Sequence, residues 1–183
     1  MSVVYMNSEG STGYVAQAAK TGQTASYQDG DDGYYQKGIA SVTQRFTLLS
    51  GIGCVIDNLT GLMWSQDINI AGETKTWTAA INYCEGLSLG GYTDWRMPNK
   101  NEMKSLIDYS NDTPALPTGH PFTGSKLTSN IMYFTSTTKP GDTYYGREPP
   151  IVMSDYISLI RLKDGAINDN LKSNSFYIFP VRG

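Results

Sequence analysis

Side chains able to do chemistry are few in this sequence, and their spacing forms no catalytic set. The single histidine, His120, sits in Gly119-His120-Pro121-Phe122, which reads as a structural turn. A histidine-based nucleophile triad would have to converge there, and no Gly-x-Ser-x-Gly elbow accompanies it. The two cysteines, Cys54 and Cys84, are too few for a disulfide scaffold and too far from other ligand types for a zinc site. Two readings stay open for them. Either Cys84, on the inward stripe of a helix, is a buried free thiol, or the two pair and close a loop of about thirty residues, contributing ~3–4 kcal/mol. Asp29-Gly30-Asp31-Asp32-Gly33 has carboxylates enough for calcium, yet it lacks the glycine at position six and the glutamate at twelve of an EF-hand loop, and a plain turn is expected. No phosphate loop or dinucleotide fingerprint occurs, and spacing alone singles out no carboxylate pair. The expectation is a protein that is not an enzyme and needs no cofactor or metal.

Two further constellations read as structural. In Asp94-Trp95-Arg96 the charges are expected to hold loops together through charge-assisted bonds. Asn58 and Thr60, like Asn111 and Thr113, form glycosylation sequons, but Asn58 lies in a tight polar turn where a turn-forming role is expected.

The elements that must position these residues are short. Arg45–Leu49 and Cys54–Asp57 read as strands about the turn Ser50-Gly51-Ile52-Gly53, and Leu62–Trp64 as a third. Trp77, Ala80, Ile81, Cys84 and Leu87 share one face at helical spacing, with Thr76 as N-cap and an end expected at Gly90-Gly91. A second helix starts after Pro98, where Asn99 caps and Glu102 stands three residues on; Met103, Leu106 and Ile107 form its apolar stripe. Prolines 114, 117 and 121 break the next stretch. Strands follow at Ile131–Thr137, Tyr156–Leu162 and Phe176–Val181, with a tight turn at Asp164-Gly165. Two helices followed by short strands predict an α+β fold. Trp64, Trp77 and Trp95 are expected to be largely buried.

With 183 residues and no second block large enough to fold alone, the chain reads as one domain at 41–183 preceded by an extended lead-in or arm at 1–40, rich in Gly, Ser, Thr, Gln and Asp. A net charge of -3 offers no basic footprint for nucleic acid. No apolar run approaches the ~20 residues needed to cross a bilayer, so no membrane insertion is expected. Val15-Ala16-Gln17-Ala18-Ala19 reads as the tail of a removed export signal.

An ordered series of motifs carries a resemblance. It comprises Asp57-Asn58-Leu59-Thr60-Gly61-Leu62-Met63-Trp64, then Trp77 with Ala80 and Tyr83-Cys84, then Gly91-Tyr92-Thr93-Asp94-Trp95-Arg96-Met97-Pro98-Asn99 with Glu102 and Leu106-Ile107. Tyr133-Phe134-Thr135-Ser136-Thr137-Thr138 and Pro180-Val181-Arg182-Gly183 complete it. Together with Thr21-Gly22-Gln23-Thr24 and Gly30-Asp31-Asp32-Gly33 ahead of them, these pieces resemble the Lcl C-terminal domain family. The resemblance implies a C-type lectin-like fold: two helices, a small mixed or antiparallel twisted sheet, termini close together, and long loops that carry the ligand. It also implies an exported or cell-surface attachment protein that binds glycans or host proteins, and a kinship with the variable proteins of diversity-generating retroelements. Where family members often carry tryptophan, this chain has Phe134 and Thr135, and another common aromatic run is replaced by Ser154-Asp155-Tyr156. The calcium-dependent sugar signature of animal lectins is missing, since Glu148-Pro149-Pro150 lacks its asparagine.

The ligand face is expected on the 133–174 loops, which mix Tyr, Asn, Ser, Asp and Arg. Its candidates are Tyr144, Tyr145, Arg147, Asp155, Tyr156, Ser158, Arg161, Asn168, Asn170, Lys172 and Asn174. The partner is expected to be a protein or a cell-surface glycan. For a sulfated polysaccharide the positive charge would come from Arg147, Arg161, Lys163 and Lys172. An enzymatic alternative, the formylglycine-generating type that shares the lectin-like fold, needs a cysteine pair in the C-terminal part, and both cysteines lie in the first half.

Overall fold

A computed structural model of the chain describes residues 18–141, 143–144 and 151–183. In chain order the elements are helix α1 (Asp32–Tyr35), strands β1 (Phe46–Leu49), β2 (Cys54–Asp57), β3 (Met63–Ser65) and β4 (Lys75–Thr76), then helices α2 (Trp77–Glu85) and α3 (Lys100–Ser105). Strands β5 (Tyr133–Thr138), β6 (Thr143–Tyr144) and β7 (Ile151–Val152) follow. After a 3₁₀ turn at Met153–Asp155 come β8 (Tyr156–Ile160), β9 (Ile167–Leu171), β10 (Ser175–Phe176) and β11 (Val181–Arg182). The ladders joining these strands are antiparallel, so the fold is α+β with small antiparallel sheets.

Two sheets enclose the main core. The first has the order β1-β2-β3-β11, and its register sets Val55 opposite Trp64 and Trp64 opposite Val181. Because side chains alternate along a strand, these three point together into the core, while Cys54, Ile56 and Met63 point the other way, onto Trp95, Leu87 and Leu89. The second sheet, β5-β8-β9, sends Tyr133 and Ile160 into the same core, and Phe134, Ile157 and Leu159 onto the α2 side with Ala80 and Cys84. Phe179 sits at the junction, 4.9 Å from Trp64, 5.2 Å from Phe122 and 6.3 Å from Tyr133 between ring centroids.

The helices form where their signals stand, with different lengths. In α3 the Asn99 side chain accepts the Glu102 N–H at 2.9 Å and Glu102 accepts the Asn99 N–H at 2.8 Å, a complete capping box. Met103, Leu106 and Ile107 are buried. Thr76 is the N-cap of α2, although its side chain makes no capping bond. The helix ends at Glu85, short of Gly90, because the Gly86 N–H closes back on Asn82 and Cys84; Leu87 lies beyond and packs around Trp95.

Three expectations need correction. Phe176–Val181 is no continuous strand: β10 pairs with β4, Tyr177 bridges Tyr133, and β11 pairs with β3, so the segment passes between sheets while Ile178, Phe179 and Pro180 are buried. Trp64 and Trp95 are buried, but Trp77 is only partly so, its ring covered on one side by Lys172 at 4.5 Å. From residue 18 onward the lead-in is not an extended arm. Lys20 N–H bonds Ile39 O at 3.0 Å, Ile39 N–H bonds Ala18 O at 2.9 Å, and Tyr109 N–H bonds Thr21 O at 2.9 Å, which closes a loop and staples it to the domain. Gly33 lies inside that loop, where a Cβ would stand 2.0 Å from the Ala25 carbonyl oxygen.

Candidate ligand-binding surface

The family motifs are spent on the framework. Asp57 is fully buried, and its carboxylate accepts two bonds from Arg45, the Leu59 N–H and the Thr60 hydroxyl. Asn58 donates to Gln44 O and Thr47 Oγ1, which gives it the turn-forming role. In the Asp94-Trp95-Arg96 stretch the two charges do not pair with each other. Asp94 takes a two-pronged bond from Arg182, whose guanidinium also lies 3.8 Å from the Tyr92 ring centroid. Arg96 takes Glu102 in the same manner, at 2.8 and 2.7 Å, and donates to Gly183 O. Both charges hold loops together: Asp94 through Arg182, 88 residues on, and Arg96 through Glu102, six residues on, and the Gly183 carbonyl.

His120 also keeps a structural place. Its ring stacks on Phe122 at 5.9 Å, its N–H closes a turn on Pro117 O, and burial lowers its pKa. Cys54 and Cys84 are buried free thiols, which settles the open alternative. Burial raises the pKa of both, that of Cys84 to about 12, so neither is a thiolate at neutral pH. The acidic turn works as a cap, with Asp31 accepting the Tyr27 and Tyr34 N–H groups at 2.8 Å each. Among the described residues no group of three or more His, Cys, Asp or Glu is placed to hold a metal, and no helix is long and apolar enough to cross a membrane.

The predicted face divides. Tyr145 and Arg147 lie outside the described residues, and of Tyr144 only the backbone, paired with Ile151, is described. The antiparallel β8–β9 hairpin fixes the others. Its register sets Tyr156 opposite Leu171 at one end and Ile160 opposite Ile167 at the other, about 13 Å apart. Asp155, Tyr156, Asn170, Lys172 and Asn174 stand at or next to the first end. Arg161 stands at the second end, held by Asp164 at 2.8 and 2.6 Å as a clamp on the hairpin turn. Asn168 is exposed near that second end of β9. Ser158 is 6% exposed and donates to Asp169, so it serves the sheet. Alternation also turns Tyr156 and Ser158 to one side of the sheet and Asn168 and Asn170 to the other.

Arg147 lies outside the described residues, and the other cations proposed for a sulfated ligand do not converge. Lys163 bonds Asn130 Oδ1 at 3.2 Å near the Arg161 end, while Lys172 lies over Trp77 at the opposite end.

Sequence reasoning missed β9 itself, along with Lys139 and Asp169. Lys139 and Ser158 both bond the Asp169 carboxylate, and the Lys139 bond, ahead of other causes, holds its pKa below the ordinary value. Strand β9 is an edge. Arg161 N–H bonds Ala166 O and Lys172 N–H bonds Asp155 O, so alternation turns the backbone groups of Asn168 and Asn170 to β8 and those of Ile167, Asp169 and Leu171 outward. Leu171 is blunted: its N–H donates to Asn170 Oδ1 and its carbonyl accepts the Asn174 N–H. Among the described residues no strand pairs with the outer side of β9, and Ile167 and Asp169 turn their backbone donors and acceptors to that side, flanked by exposed polar side chains.

Such a framework, with charged latches consumed internally, defines a small α+β domain with small antiparallel sheets. The chain belongs to the Lcl C-terminal domain family, which matches residues 53–182. No curated protein sequence matches it.

Proposed function

We propose that this protein is a non-enzymatic attachment domain of C-type lectin-like fold, exported or displayed at a cell surface, that recognises a protein or complex surface ligand. The observation that carries this reading is the open edge of β9. Ile167 and Asp169 offer outward N–H and C=O groups in a row, the geometry by which an extended segment of another protein adds to a sheet. At its Tyr156–Leu171 end stand Asp155, Tyr156, Asn170, Lys172 and Asn174, with Tyr156 on one side of the sheet and Asn170 on the other. Aromatic, amide and charged side chains of this kind make adaptable contacts at small entropy cost. Dispersal of Arg161, Lys163 and Lys172 weighs against a sulfated polysaccharide, and protonated buried thiols weigh against formylglycine-type catalysis.

A glycan array probed with the full chain tests the lean toward protein. Strong selective hits that disappear in Lys172→Ala would replace the protein partner with a glycan at this surface. Kinship with retroelement variable proteins is tested in the DNA: a near-identical template repeat near the 3′ end, differing at adenines, and an adjacent reverse transcriptase gene are expected, and their absence removes that kinship.

A further inference from the structure

A second site lies on the opposite flank, built by the lead-in. Residues 21–27 and the turn at 109–110 form the walls of an open cleft of about 480 Å³, which adjoins a smaller cavity of about 130 Å³ through the shared residues Thr21, Gln23, Thr24 and Asp32. Two aromatic rings stand in its walls and are left in water: Tyr27 is 85% exposed and Tyr109 is 45% exposed. Rings so exposed around one cleft mark a contact surface rather than a scatter of single apolar residues.

We propose that this cleft binds a neutral saccharide. A sugar ring has an apolar C–H face and a rim of hydroxyls, and the cleft offers both complements: the rings of Tyr27 and Tyr109, and the Thr24 hydroxyl, the Gln23 amide and the Asp32 carboxylate, the Thr21 hydroxyl being spent on Asp32. The carboxylate in the wall repels sulfated or acidic sugars and accepts bonds from paired hydroxyls. The volume lies within the range of small-ligand sites and holds one or two sugar rings. The walls are also set before any ligand arrives. Thr21 O is tied to Tyr109 N–H, the Thr21 hydroxyl to Asp32, Gln23 Nε2 to Ala25 O at 3.0 Å, and the Tyr109 hydroxyl leans on Gly165 O at 3.4 Å. Little ordering is left to oppose binding. Residues 21–32 precede the family-matched segment while Tyr109 and Ser110 lie within it, and the site stands without the β9 reading.

The test is a titration of the full chain with glucose, galactose, mannose and N-acetylglucosamine and with their β-linked disaccharides, followed by amide NMR shifts. Saturable shifts confined to residues 21–27 and 109–110 are expected with at least one of these sugars, with dissociation constants of order 1 mM. Tyr27→Ala, at a position too exposed to affect folding, should weaken binding about tenfold, while Tyr27→Phe keeps it. Lys172→Ala should leave it unchanged. No saturable shift with any sugar of the panel, or equal binding by Tyr27→Ala, overturns the site. Loss with Lys172→Ala instead would move the sugar to the β9 surface.

Discussion

Arg45 and Asp57 meet side by side, Nε to Oδ1 at 2.6 Å and Nη2 to Oδ2 at 2.8 Å, and the second nitrogen also donates to the Ser105 carbonyl. Arg45 lies just outside the family-matched segment, yet it neutralises a carboxylate that segment buries completely. Removing it leaves an uncompensated buried charge. Arg45→Met should therefore destabilise by ~3–5 kcal/mol in urea unfolding, and a chain begun at Gly53 should not fold. A chain from Gly53 with full stability would show that β1 and Arg45 are dispensable.

Trp95 fills the space between the first sheet and the Leu87–Tyr92 loop, with its indole N–H on Leu89 O at 3.2 Å. Trp95→Ala should cost ~3–5 kcal/mol, a large share of the 5–15 kcal/mol of a typical domain. Tyr156→Ala, at a half-buried ring on the hairpin end, should keep the melting temperature within a few degrees and weaken ligand binding. Calorimetry beside a binding assay checks both, and the reverse pattern would exchange scaffold and site.

The Glu102 carboxylate links the α3 cap to Arg96. Burial opposes its ionisation, but the Arg96 guanidinium and the Asn99 N–H outweigh burial and lower its pKa. A group whose folded pKa is depressed stabilises above its unfolded value, near 4.3, and that stability is lost as pH falls through the folded pKa. Glu102→Gln should thus be weaker than the parent by ~1.5–3 kcal/mol at pH 7, with the gap closing below about pH 4. A gap independent of pH would mean that the charge is irrelevant. His120, with its pKa lowered by burial, adds to the same acid side: protonating it favours the unfolded chain as pH falls below about 6.5.

Both thiols are buried and their pKa values raised, so a thiol reagent should label neither in the native protein at neutral pH and both after denaturation. The intact mass should be the same with and without reductant. Fast native labelling of Cys84 would show that α2 opens far more readily than its packing implies.

Much of the framework was legible in the sequence because local chemistry dictates it. The Asn99–Glu102 box, the glycine turn between β1 and β2, and the apolar stripe of Met103, Leu106 and Ile107 each satisfy backbone groups or bury area within a few residues. The boundary of α2 was not legible, since Gly86 closes the helix before the apolar stripe has ended. Strand β9 escaped notice because Ile-Asn-Asp-Asn-Leu has little strand propensity, and only pairing with β8 makes it one. Residue types marked Asp94 and Arg96 as latches, but their partners Arg182 and Glu102 depend on how β11 and α3 fold back. Most of the predicted face followed from composition alone. Tertiary structure divided it, because the period of two along β8 and β9 sends neighbouring residues to opposite sides, and because Arg161 and Ser158 found partners inside the fold. Nothing in the lead-in's own sequence showed that it would close on Tyr109, since that closure rests on hydrogen bonds to residues far along the chain.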